Sequence, residues 1–271
     1  MKTAIVIPTF NAVKNGVWRE VLDALALHNG EVCWKIIVDC ASGDETCSMA
    51  SSYGWQCFYH KKERFDHGRT RNRICRILHR KGVENVIFLS QDVVLNTPDA
   101  VQHLLDFLHE NDVAGCYGRQ LTSEENSLNA WQRRKSYPEE SYVKNAQDLK
   151  IEGAGAAFFS NAFSAWKTAD VIRYGGFPET VFGEDALLAY QVLLQGGKIG
   201  YCAEAVVIHD HSCAWHALFY RGLQVGRFHR KHPVFSGFKF RKSSFCFPLS
   251  LPLFLPFAIK TSGYLAGRLG L

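Results

Sequence analysis

The sequence predicts an α/β fold, a doubly wound and mostly parallel sheet flanked by helices, followed by a basic helical tail. Three observations carry this. Short apolar runs alternate with segments of helical period over the first 120 residues. Three of those runs are too continuously apolar to have a wet face, which is the mark of strands covered on both sides. All 26 Asp and Glu lie before residue 211, whereas residues 211–271 hold nine Lys and Arg and no acid.

Thr3 to Ile7, Lys35 to Val38, Gln56 to Tyr59, Val86 to Leu89 and Val113 to Tyr117 read as strands. Val17 to His28, Thr46 to Tyr53, Arg69 to Arg80 and Ala100 to His109 carry helical spacing between them, with Asp44 as an expected N-cap and Pro98 where a first helical turn tolerates it. Such a βαβ order puts ligands at the carboxyl ends of the strands. The residues at those ends are polar: Pro8-Thr9-Phe10-Asn11, then Asp39-Cys40-Ala41-Ser42-Gly43-Asp44, then Ser90-Gln91-Asp92. Residues 121–150 are polar and weakly patterned, suggesting a surface helix or a mobile loop. A strand-like stretch is expected at Gly153 to Phe159, a helix at about Ser164 to Arg173, a turn at Gly175 to Pro178, a helix opening at Glu184-Asp185, and a strand at Lys198 to Cys202. Residues 1 to about 212 read as one compact unit.

With 271 residues, of which 47% are hydrophobic and 21% charged, the chain buries a sizeable core, which excludes a disordered chain. Its nine cysteines form no Cys-x-x-Cys pair, so neither a disulfide framework nor a zinc site is indicated, and a reducing compartment is expected. The first apolar run meets Pro8 with no charged segment and long apolar core ahead of it, which argues against secretion. There is no Gly-x-Gly-x-x-Gly and no Gly-x4-Gly-Lys-[Ser/Thr], so the common phosphate cradles are absent.

Four groups of residues could carry chemistry. Asp92 ends a buried-looking strand and suits a divalent cation that bridges a diphosphate, or else a turn. Glu184 and Asp185 open a helix, where free N–H groups stabilise carboxylates, and could equally supply a general base. His209 and His211 stand at i and i+2 past a strand end, so they point the same way and could complete a metal shell or simply be solvated. Finally, Phe65-Asp66-His67-Gly68-Arg69-Thr70-Arg71-Asn72 places cations at a helix start, against the dipole preference, as a site for an anionic group would.

Taken in order, Ile5 to Asn11, Ile37-Val38-Asp39, Phe65 to Asn72, Phe88 to Asp92, Tyr117-Gly118-Arg119-Gln120-Leu121, Phe159-Ser160-Asn161, Phe182-Gly183-Glu184-Asp185 and Val207 to His211 resemble the inverting glycosyltransferases of family 2, which have the GT-A fold, and within them the rhamnosyltransferase-like group. The resemblance spans roughly residues 3 to 230. It implies a nucleotide-sugar-binding half at 1–118, an acceptor-binding and catalytic-base half of the same compact domain at 119–212, and a basic, apolar tail at 213–271. Thr9, Asn11 and Asp39 would line the nucleotide pocket, with Asp39 accepting from a pyrimidine N3–H and with Arg71, His67 and Gln91 nearby. Asp92 would hold Mg2+ or Mn2+ on the diphosphate, with His209 or His211 completing the shell; it stands alone where the family more often has Asp-x-Asp. Asp185 would be the base, with Glu184 beside it. The implied reaction moves L-rhamnose from dTDP-L-rhamnose to a hydroxyl of a glycan or lipid-linked acceptor. A UDP-hexose or UDP-N-acetylhexosamine donor is the alternative, and a non-catalytic nucleotide-sugar or polyanion-binding module lies further off.

Residues 245–259 are strongly apolar but short and interrupted by three prolines, too short to span a bilayer. Flanked by Lys239, Arg241, Lys242 and Lys260, they suit shallow insertion with cations on anionic headgroups, or packing on the core or on a second copy of the chain. The expected location is the cytoplasm, peripheral on the inner face of the cell membrane. No nucleic-acid motif is present, and nucleic acid is not expected as a partner.

Overall fold

Ile5 and Ile7 of β1 (Thr3–Thr9) pack into one apolar cluster and Ala4 and Val6 into another, and all four are fully buried. A strand buried on both faces requires a layer of helices on each. The chain supplies them in turn, in a computed structural model that describes residues 1–60, 66–124, 127–180, 182–210, 214–237 and 251–270. After β1 come α1 (Trp18–Ala26), β2 (Trp34–Asp39), α2 (Thr46–Ser52), β3 (Gln56–Tyr59), α3 (His67–Arg80), β4 (Asn85–Leu89), β5 (Val93–Leu95), α4 (Ala100–Glu110) and β6 (Gly115–Leu121). Helices α1, α2 and α4 bury Leu22, Ala50 and Leu104 in the cluster on one face. The other face is covered by α3 and by two later helices, α7 (Thr168–Arg173) and α8 (Glu184–Leu194).

Between β6 and α7 lie α5 (Leu128–Ser136), β7 (Tyr142–Lys144), α6 (Ala146–Glu152) and β8 (Phe163–Lys167); β9 (Ile199–His209), α9 (Trp215–Lys231) and α10 (Leu251–Leu269) complete the described chain. The strand order is β3-β2-β1-β4-β8-β6-β9-β5, with β7 also pairing with β9. β1 to β4 run parallel, as do β6 and β9, while β8 runs antiparallel between β4 and β6. Six strands therefore deliver their carboxyl ends to one rim, as the alternating pattern predicted.

Four expectations need correction. Gly153 to Phe159 is not a strand: Gly153–Ala157 forms a 3₁₀ turn whose Ala154, Ala156 and Ala157 fill the core, small residues serving close packing rather than pairing. The helix expected from Ser164 begins only at Thr168, because Phe163–Lys167 are paired on both sides as β8. The strand expected at Lys198 to Cys202 continues to His209, its register with β6 shifting between Gly118 and Arg119. Asp44 is one residue short of the N-cap of α2, and its side chain instead accepts from Thr46 N and Lys14 N. Phe65, His211 and residues 238–250 lie outside the described residues.

Candidate active site

At the ends of β1 and β2, Thr9 Oγ1 donates to Asp39 Oδ1 at 2.9 Å, and Ser42 adds its hydroxyl at 2.6 Å and its backbone N–H at 2.8 Å. Asp39 is 1% exposed, and three of its four acceptor positions are filled by these donors. Asn11 and Ala41 both adopt left-handed backbone, with φ of 49° and 60°. The cost of order 1 kcal/mol that a non-glycine bears there is offset by what the two loops gain: Asn11 N donates to Ser42 Oγ at 2.7 Å, and Asn11 Oδ1 accepts from Gly43 N at 2.8 Å. Gln91 braces this corner from the next strand end. Its Oε1 accepts from Phe10 N at 2.7 Å and its Nε2 donates to Phe10 O at 3.2 Å.

Asp92, the next residue, faces His209 at the end of β9, because Val93 of β5 pairs with His209 in register. Asp92 Oδ1 lies 3.4 Å from His209 Nε2. The other ring nitrogen, Nδ1, is 2.9 Å from Gln120 Oε1. That oxygen also accepts from Arg133 Nη1, while the Gln120 amide donates to Ser160 Oγ at 2.8 Å, so the atom facing His209 is an acceptor and Nδ1 carries the proton. His209 Nε2 faces a carboxylate oxygen of Asp92. Two acceptors at that separation need a proton or a cation between them. Among the described residues no group of three or more His, Cys, Asp and Glu gathers around one point. Asp210 is engaged elsewhere: burial pulls its pKa up, but hydrogen bonds from Ser123 and Thr122 outweigh this and hold it below the ordinary value.

The third group forms where α3 meets the start of α8. Arg71 Nη1 pairs with Glu184 Oε1 at 2.7 Å, with side chains 6% and 7% exposed. His67 Nδ1 lies 3.3 Å from the same Arg71 nitrogen. Burial and then the Arg71 charge push the His67 pKa down, so it meets Arg71 as a neutral ring. Asp185 is half-buried beside this pair, its Oδ2 accepting from Asn161 N at 3.0 Å and its Oδ1 from Ala186 N at 2.8 Å. Burial first, and the neighbouring Glu184 charge second, push the Asp185 pKa up to about 7; the two amides and Arg71 hold part of that rise back. A carboxylate poised near neutrality is suited to take a proton from a hydroxyl.

The structure therefore joins Thr9, Asn11, Asp39 and Gln91 in one cluster, Asp92 and His209 in a second, and Glu184, Asp185, Arg71 and His67 in a third. Arg71 and His67 sit with the acids of α8 rather than with Asp39. The cation-rich start of α3, which locally opposed the helix dipole, is resolved by tertiary contacts: Asp66 caps the helix through Arg69 N, Arg69 pairs with Glu179 at 2.6 Å, and Arg71 pairs with Glu184.

Several connecting residues had no role assigned from the sequence. Gln120 hydrogen-bonds both His209 and Ser160, Arg133 reaches Gln120 and the His209 carbonyl, and Asn161, the chain neighbour of Ser160, donates its N–H to Asp185. Asn161, 2% exposed, also donates to Glu184 at 3.4 Å and accepts from Ser164 and Trp166. The available signal was a polar side chain inside apolar text, as at Gln120 in β6. A cleft of about 390 Å³ along the outer face of α3, lined by Arg69, Arg73, Arg76 and Arg80 with Glu179, lies apart from these three clusters.

A mostly parallel sheet with β8 reversed between β4 and β6, β5 and β7 antiparallel to β9, and acidic side chains at the strand ends is the GT-A-type architecture of sugar-transferring enzymes. Residues 4–172 match glycosyl transferase family 2, and the chain belongs to that family. It is 32% identical to the O-antigen chain rhamnosyltransferase WbaN of Salmonella anatum over 97% of this chain and 88% of the relative. It is 33% identical to the O-antigen chain rhamnosyltransferase RfbN of Salmonella typhimurium over 99% of this chain and 90% of the relative. Among solved structures it superposes on the mannosyltransferase PcManGT of Pyrobaculum calidifontis, in complex with GDP-Man and Mn2+, with a TM-score of 0.62 and 16% identity, covering 99% of this chain and 70% of that one.

Proposed function

We propose that this enzyme transfers L-rhamnose from dTDP-L-rhamnose to a hydroxyl of a glycan or lipid-linked acceptor in O-antigen-type polysaccharide assembly, with inversion at the sugar carbon. The observation that supports the mechanism is the run of contacts from the Asp92–His209 pair through Gln120 to Ser160, whose chain neighbour Asn161 donates its N–H to Asp185, so that one frame carries both a candidate leaving-group site and a candidate base. The donor sugar is supported by the two rhamnosyltransferases, similar over nearly the whole chain.

Asp39 and Thr9 line the nucleotide end, with the remaining acceptor position of Asp39 available to a base N–H. Asp92 and His209 are the residues that would hold a divalent cation, Mg2+ or Mn2+. Such an ion would neutralise charge on the departing diphosphate. Asp185 takes the proton of the acceptor hydroxyl as its oxygen bonds to the sugar carbon, and the bond to phosphate breaks with its electron pair leaving on the phosphate oxygen. Glu184 Oε1 is engaged by Arg71 and by the Asn161 side chain, which leaves Asp185 to take the proton.

No helix among the described residues is long and apolar enough to cross a membrane. We assign the acceptor side to an anionic membrane surface on the cytoplasmic face, contacted by the basic tail, whose Trp215, Phe219, Tyr220, Leu265 and Leu269 are exposed.

Thermal unfolding with dTDP-, UDP- and GDP-sugars, with and without Mn2+, tests the donor. A ligand at 100 times its Kd raises stability by about 2.7 kcal/mol. Stabilisation by dTDP-L-rhamnose that depends on Mn2+ is expected; a response to UDP-sugars alone would replace the donor.

A further inference from the structure

Helix α3 carries four arginines on one face. Arg69, Arg73, Arg76 and Arg80 stand at i, i+4, i+7 and i+11, which a helix of 3.6 residues per turn gathers within an arc of about 60° along roughly 16 Å of its length. Arg71 points the opposite way and is buried against Glu184. The four outward arginines are exposed, and α3 contains no Asp or Glu to pair with them one turn away. Glu179 takes Arg69, and Arg80 sits in the last turn, where the helix dipole favours a cation. Arg73 and Arg76, in the middle of the helix, have neither compensation: no ion pair joins them to an acid among the described residues.

This face is also concave. The cleft of about 390 Å³ runs along it, a volume within the range of roughly 300–1,000 Å³ typical of small-ligand pockets. Four arginines and Glu179 line it, a net charge of +3, and Ile77, 40% exposed, is the apolar side chain among its lining residues. One wall is the segment before α8, which contributes Glu179. Asn72 fixes that wall by donating to Phe177 O and accepting from Phe177 N at 2.7 Å, and Gly68 lets the Pro178 carbonyl come close. A solvated row of cations needs no such shape. A pre-formed concavity lined with guanidinium forks matches phosphate oxygens, which arginine holds bidentately.

We propose that this cleft is a second phosphate site, in which Arg73, Arg76 and Arg80 hold a diphosphate carried by the acceptor. It is separate from the leaving-group site at Asp92 and His209. The segment that forms its wall runs on into Glu184 and Asp185, so an acceptor anchored there extends towards the base, a placement that rests on Asp185 being the base. The phosphate of an anionic lipid headgroup offers the same chemistry, but a bilayer surface meets ridges, whereas these arginines line a cleft.

The full-length chain is titrated calorimetrically with inorganic pyrophosphate in EDTA, so that no cation at Asp92 and His209 contributes. Arg73→Gln with Arg76→Gln should weaken binding about 10-fold or more, as expected when hydrogen bonds to a charged group are lost. Arg19→Gln with Lys150→Gln removes the same charge from exposed positions on other helices and should change it by less than about 2-fold, since distant exposed charges are screened at 0.1 M salt. Arg73→Lys with Arg76→Lys keeps the charge without the fork and should recover only part of the loss. An unchanged melting temperature shows that each variant is folded. With dTDP-L-rhamnose as donor, the KM of a polyprenyl-diphosphate-linked glycan should rise about 10-fold in the glutamine variant, relative to that of the same glycan as a phosphate-free alkyl glycoside. No pyrophosphate binding by the wild type, equal losses in the cleft and control variants, or full recovery with lysine would overturn the site. A KM ratio that stays at the wild-type value overturns the acceptor as its occupant, and so does a defect seen only in sedimentation with phosphatidylglycerol vesicles, which would assign the phosphates to lipid headgroups. If the wild type turns over neither acceptor, rhamnosyl transfer itself falls, and the pyrophosphate titration still decides the cleft.

Discussion

Asp185 and Glu184 are adjacent in sequence yet held by different partners, and the difference sets their roles. Arg71 and the Asn161 side chain go to Glu184, whereas Asp185 receives only backbone N–H groups and is pushed up by burial and by the Glu184 charge. In its proposed role of base Asp185 must be deprotonated, so activity is lost as pH falls through its raised pKa. The acid limb of kcat/KM is therefore expected near pH 7. Glu184→Gln removes the second cause of the rise and frees Arg71 to pair with Asp185; the limb should move down by a unit or more, and kcat at pH 8 should fall as the base weakens. Breaking a buried ion pair also costs about 3–5 kcal/mol, so urea denaturation should show a marked loss of stability. An acid limb that stays at its wild-type pH in folded Glu184→Gln would deny Glu184 this role. At this scale the sequence made Asp92, Asp185 and His209 visible, because acids and histidines at strand ends and helix starts stand out from apolar text. It hid the partition between Glu184 and Asp185, since Arg71 arrives from a helix more than 100 residues away.

The start of α3 and the segment before α8 act as one element. Asn72 donates through Nδ2 to Phe177 O and accepts from Phe177 N at 2.7 Å, and Gly68 lies so close to the Pro178 carbonyl that a Cβ there would collide with it. Left-handed Gly176 and Gly183 shape the same segment, the latter packed under the Phe228 ring. Because this segment leads directly into Glu184 and Asp185, its docking positions the proposed base. Asn72→Ala deletes two half-buried hydrogen bonds and should cost about 1–3 kcal/mol, together with a fall of about 10-fold in kcat and little change in donor KM. An unchanged kcat in that variant would mean that the base is positioned without this contact. The same element shows what local pattern conveys. Strands β1, β2 and β4 declared themselves as continuous apolar runs, whereas the three residues of β5 did not. Strand β8 did not, since Phe163-Ser164-Ala165-Trp166-Lys167 becomes a strand only when β4 and β6 flank it, and Ala154, Ala156 and Ala157 suit a 3₁₀ turn only because the core has no room for larger side chains.

At the scale of the whole molecule, charge is divided along the chain: every acid lies before residue 211 and the last 61 residues carry only cations. On α9 Arg227, Arg230 and Lys231 are exposed, as are the rings of Trp215, Phe219 and Tyr220, so the hairpin offers both charge and apolar surface. Each basic residue near an anionic bilayer contributes about 1 kcal/mol, and this attraction is screened as the Debye length falls from about 10 Å at 0.1 M salt to about 3 Å at 1 M. Sedimentation with vesicles containing phosphatidylglycerol should therefore capture the protein at 0.1 M salt, and neutral phosphatidylcholine vesicles should capture far less. Neutralising the three cations, as Arg227→Gln, Arg230→Gln and Lys231→Gln together, should weaken binding by about 100-fold at low salt and do little at 1 M. Trp215→Ser with Phe219→Ser should act in the opposite way, removing the binding that survives high salt, because buried apolar area is not screened. These substitutions are preferable to truncation, since deleting α10 would expose the glycine face of α9 and confuse lost contact with lost packing. Equal binding to neutral and anionic vesicles, unaffected by either set, would assign the hairpin to the protein alone.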